Sequence, residues 1–78
     1  MPLAKHQLSP ERLIEAAEAA FQAATEVGHE RGGAMPYPAD LMGTPDQPYY
    51  LEEFTRWEME EASEFLVRLG MIAKPVKQ

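Results

Sequence analysis

Gly32-Gly33-Ala34-Met35-Pro36-Tyr37-Pro38-Ala39-Asp40-Leu41-Met42-Gly43-Thr44-Pro45-Asp46-Gln47-Pro48 decides the architecture, because neither a regular helix nor a central strand absorbs such a run. Its four Pro remove backbone donors, and its three Gly favour turns. Amphipathic stretches flank it on both sides. The chain therefore reads as one domain over residues 1–78: a helix over about 10–29, a connector over about 32–48, a helix over about 49–69, and a short tail at 71–78. Loops longer than about 12–15 residues are uncommon in compact domains and are often functional. This one is punctuated by Met35, Tyr37, Leu41 and Met42. Such residues either fold back to cap one end of the helix pair or form an exposed binding loop, with Pro limiting the entropy lost on docking. Thr44-Pro45-Asp46-Gln47 has capping-box spacing and predicts a short turn before the second helix.

Upstream, Ser9-Pro10-Glu11 is a helix start: Ser accepts a backbone N–H at the N-cap, and Pro at the first helical position loses nothing by lacking one. At about 100° per residue, Leu13, Ala17, Ala20, Ala24 and Val27 share one stripe, with Ile14 and Phe21 on its shoulder. Six of the nine residues from Ala16 to Ala24 are Ala, which lets a second backbone approach closely. Gly28 or the Gly32-Gly33 pair ends the helix.

Downstream, Leu69-Gly70-Met71 is a helix stop, and Glu52 and Arg56 are spaced as a favourable surface pair. A continuous helix over 49–69 gathers Leu51, Phe54, Trp57, Ala62, Phe65, Leu66 and Leu69 on an apolar arc, with Met59 on its edge. That arc spans about 200°, wider than one partner helix covers. The surplus predicts self-association through Phe54, Trp57 and Leu66. Glu58 falls inside the arc, where a carboxylate needs hydrogen bonds or a counter-charge. Connector N–H groups or Arg31 are the expected partners. The candidate interaction residues are thus Phe54, Trp57, Glu58, Leu66, Tyr37 and Met35.

Composition bounds the function. The 78 residues carry a net charge of −6 and no Cys, so neither a disulfide nor a thiolate metal site supports the fold. Residues 10–31 hold five Glu and two Arg, and residues 51–69 hold six Glu and two Arg. Clustered Lys and Arg for phosphate contacts are missing from both, so direct nucleic-acid binding is not expected. No apolar run reaches the roughly 18 residues of a membrane span, and Met1-Pro2-Leu3-Ala4-Lys5 lacks a signal-peptide core; the expected location is cytoplasmic, with no membrane partner. No phosphate-cradling loop, nucleophile–base pair or zinc spacing is present, so no catalytic, cofactor-binding or metal-ligating residue is assigned and no cofactor is expected.

These readings converge on an all-α fold: two long antiparallel helices joined by a long irregular Pro/Gly-rich connector and completed by self-association. The expected function is a small acidic, non-enzymatic protein-interaction module acting as a homo-oligomer, with a protein partner that carries basic charge. An alternative is a small regulator or inhibitor whose acidic surface occupies a basic nucleic-acid-binding site on a target protein. A more distant one is a metal-binding helical bundle, because Glu26-Val27-Gly28-His29 has Glu-x-x-His spacing and Glu58 offers a further carboxylate.

Overall fold

The computed structural model describes residues 8–75, and within them the chain is all-helical. Helix α1 spans Pro10–Glu30 and helix α2 spans Arg56–Arg68. Between them the connector runs over 31–55, past its expected end at 48, and holds two 3-10 turns, Pro38–Leu41 and Tyr49–Glu53.

The ends of α1 follow from its sequence. Ser9 Oγ accepts the Arg12 N–H at 3.0 Å, satisfying one of the free donors of the first turn. At the other end Gly33 N–H donates to Gly28 O (2.7 Å) and Gly32 N–H to His29 O (3.2 Å). This is a Schellman closure, and it requires the positive φ of +83° that Gly32 adopts. Gly28 does not end the helix. It is buried inside the last turns, where Met35 crosses so closely that an added Cβ would sit 3.0 Å from the Met35 Cα.

The second helix starts later than residue 49. Tyr49–Glu53 is a 3-10 turn, Phe54 is extended (φ −112°, ψ 147°), and α2 begins only at Arg56. The cause is a capping box. Thr55 Oγ1 accepts the Glu58 N–H at 3.0 Å, and Glu58 Oε1 accepts the Thr55 N–H at 2.9 Å. Two donors are satisfied reciprocally, which fixes the start at Thr55. The expected Glu52–Arg56 pair is thereby lost, and Arg56 meets Glu60 instead at 3.5 Å. Helix α2 ends as its sequence implies, with Gly70 N–H on Val67 O (2.9 Å) and Met71 N–H on Leu66 O (3.0 Å).

The pairing of the helices also differs from an antiparallel hairpin. Glu58, in the first turn of α2, bonds Arg12, in the first turn of α1. The two helices therefore begin side by side. Since α1 is 21 residues long, the connector must recross roughly 30 Å to reach that point. Its last section runs back along α1: the Tyr50 hydroxyl donates to Glu26 at 2.7 Å, and Phe54 lies beneath Arg12.

The core is assembled where these pieces cross. Ala16, Ala17, Ala20, Ala23 and Val27 of α1 meet Leu41, Leu51 and Phe54 of the connector and Met59, Ala62 and Leu66 of α2. Leu51 and Met59 are fully buried and supply the bulk that the Ala-rich face lacks. Ser63 is the buried polar residue of α2. Its Oγ accepts the Ala39 N–H at 3.1 Å, tying the first 3-10 turn to the helix. The connector is thus a third layer of the core.

Candidate functional site

The strongest polar feature holds the fold. Arg12 donates from Nε and Nη2 to both oxygens of Glu58 (2.9 and 3.2 Å) and from Nη2 to the Glu53 carbonyl (2.9 Å). Its guanidinium lies 4.3 Å from the centre of the Phe54 ring. One side chain thereby joins the start of α1, the end of the connector and the start of α2. The Arg12 hydrogen bond is the main cause holding the Glu58 carboxyl below its usual pKa; the Thr55 N–H assists, and partial burial opposes. Glu58 is half-buried and paired, but its partner is Arg12. Arg31, expected to serve Glu58, instead bonds Asp46 at 2.6 Å near the far end of α1.

The other expected interaction residues separate into two groups. Phe54 and Leu66 are buried inside the single chain, which leaves Phe54 little surface for an interface and Leu66 only an edge on the groove between α1 and α2. The register explains it: with α2 starting at Thr55, Phe54 is no longer on the same helical face as Leu66. Tyr37 is half-buried, and burial raises its hydroxyl pKa. Met35 and Trp57 are exposed, at 42% and 37%.

The surplus apolar surface lies elsewhere. A groove of about 320 Å³ opens between α1 and α2, walled by Ile14, Ala17 and Phe21 on one side and Phe65, Leu66 and Leu69 on the other, with Met71 at its end. Ile14 is 52% exposed, Leu69 57% and Met71 44%. Ile14 and Phe21 were legible as the shoulder of the Ala stripe. Glu18 and Gln22 form the solvent-side ridge of this groove and also line a second, polar one with Glu15, Tyr49, Tyr50 and Glu53. An apolar slot and an acidic slot thus run on either side of one ridge of α1.

Compared with known proteins, the chain matches no family model, no curated protein and no solved structure. Among the described residues no helix is long and apolar enough to cross a membrane.

The residues suggested for a metal are spread along the molecule. Glu26 is held by Gln22 (3.0 Å) and Tyr50 (2.7 Å), while Glu58 is held by Arg12. Fourteen helical residues separate positions 12 and 26, about 20 Å along the axis, so Glu58 and the Glu26/His29 pair do not converge within one chain.

The Tyr50–Glu26 bond carries a pH signature. Burial, with the Glu26 bond second, raises the Tyr50 pKa well above the ordinary value of about 10. A raised folded-state pKa contributes stability that is complete below the unfolded value and declines as pH rises beyond it. Denaturant melts should therefore lose stability above about pH 10, and Tyr50→Phe should lose less across the same range. Identical alkaline profiles for the two proteins would contradict this contact.

Proposed function

We propose that the protein is a small acidic, non-enzymatic protein-interaction module whose docking face is the apolar groove between α1 and α2. One observation carries the reading: Ile14, Leu69 and Met71 remain about half in water while the core is built largely from Ala. Fully burying a Leu, Ile or Met side chain contributes roughly 1.5–3 kcal/mol. The single chain leaves much of that unused at the groove, where a partner can use it. Contiguous apolar surface rimmed by polar residues is the usual mark of such a site.

Self-association through the same groove is the second reading. A chain of 78 residues with an Ala-rich core sits near the lower limit for a self-sufficient domain, and association adds buried area.

Ile14→Glu and Leu69→Glu test the docking reading. Both variants should stay within about 1 kcal/mol of the parent protein, because each side chain is already about half in water. If the groove binds a second copy, sedimentation of the parent protein shows association from micromolar to millimolar concentration, and both variants are monomers. A loss of about 2 kcal/mol or more in either variant would mean that these residues serve the fold, and the docking reading would fall.

A further inference from the structure

We infer that the occupant of this groove is an amphipathic helix of another protein, with basic residues flanking its apolar stripe, rather than a second copy of this chain. The inference rests on the groove being a docking face. Its shape gives the first argument. Ile14 to Phe21 is two turns of α1, about 10 Å of wall, which matches apolar anchors at i, i+4 and i+7 of a docked helix. A two-fold axis would place groove against groove, concave on concave, because an isologous interface repeats the same patch on both sides.

Charge gives the second argument. By helical periodicity Glu11 and Glu18 border Ile14 and Phe21 on the solvent side of α1. Across the groove, Glu61 and Arg68 border Phe65 and Leu69 on α2. All four are exposed. Beyond the Glu18–Gln22 ridge the polar groove holds Glu15 and Glu53, which face Arg12 at 3.4 and 3.9 Å. A Lys or Arg next to the apolar stripe of a docked helix meets Glu11 or Glu18. Arg12 is engaged by Glu58, Arg31 by Asp46 and Arg56 by Glu60, so a second copy brings Arg68 to the rim of the groove against Glu11, Glu18 and Glu61. A second copy brings another net −6, so its long-range field opposes approach.

The test uses two synthetic helical peptides of roughly 18 residues. Both carry Leu at i, i+4 and i+7; one has Lys at the flanking positions and the other Glu. The full chain should bind the Leu/Lys peptide and not the Leu/Glu peptide, with affinity falling as salt rises. Leu69→Glu should weaken Leu/Lys binding by about tenfold or more, and Ile14→Glu should do the same. Glu18→Lys should weaken it by about fivefold or more, whereas Glu30→Lys, the same charge change at the other end of α1, should stay within about twofold. Equal effects of Glu18→Lys and Glu30→Lys would reduce the attraction to overall charge and overturn the inference. Equal binding of both peptides would overturn it too, while leaving the groove as a docking face. Self-association of the parent protein that Leu69→Glu abolishes would assign the groove to a second copy, again overturning the inference alone. If Leu69→Glu and Ile14→Glu change neither peptide binding nor association, the docking reading itself falls.

Discussion

Leu51→Ala is expected to remove about 3 kcal/mol of stability, within the 2–5 kcal/mol range of large-to-small core substitutions. Leu51 is fully buried, yet it belongs to the connector, in the 3-10 turn Tyr49–Glu53. It packs in one cluster with the Ala face of α1 and with Met59 and Leu66 of α2. An Ala face cannot swell to refill the space, so the void persists and its cost is felt in full. A chain of this length holds in total roughly 4–12 kcal/mol, so one connector residue carries about a quarter or more of it. Denaturant melts measure the loss. A change under about 0.5 kcal/mol, typical of a surface site, would show that the connector is not part of the core.

The second large effect is at Glu58. Glu58→Ala removes the bidentate partner of Arg12 and half of the capping box of α2. The expected cost is about 2–3 kcal/mol: roughly 1 for the cap, and the rest for a charged hydrogen-bonded pair that is only partly screened. Glu58→Gln should cost less, since it keeps an acceptor for the Thr55 N–H. Glu60→Ala and Glu61→Ala are exposed controls and should stay within about 0.5 kcal/mol. The pH dependence has a fixed sign. The folded-state pKa of Glu58 lies below its unfolded value. Its contribution is therefore complete above the ordinary carboxylate pKa of about 4.3 and is lost as pH falls through the lower folded value. Glu58→Gln should flatten that acid limb. An unchanged acid limb would remove Glu58 from its place at the joint of the two helices.

Much of this fold was legible from local chemistry. Ser9, Gly32-Gly33 and Gly70-Met71 mark helix ends through their own backbone requirements, and the Ala stripe identifies the buried face of α1. The start of α2 was obscured because the apolar spacing of Leu51, Phe54 and Trp57 continues a helical period across a break. The deciding signal was still present, since Thr55-Arg56-Trp57-Glu58 is a capping box, and reading it moves Glu58 from mid-helix to a first turn. The partner of Glu58 was not legible. Arg12 and Arg31 stand at opposite ends of α1, and choosing between them requires knowing that the connector runs back along that helix. That path is set by tertiary contacts such as Ser63 with Ala39 and Tyr50 with Glu26, which no local pattern encodes. The groove was half legible: its α1 wall appeared as a shoulder of the Ala stripe, while its α2 wall depended on the register that the cap sets.

The proposed docking face can be checked by recording backbone amide shifts of the isotope-labelled protein as the Leu/Lys peptide is added. The largest shifts are expected on Ile14, Ala17, Glu18 and Phe21 of α1 and on Phe65, Leu69 and Met71 of α2, with Glu30, Arg31 and Asp46 unmoved. Shifts centred on Met35 and Tyr37, or spread evenly over the acidic surface with the groove residues silent, would contradict it.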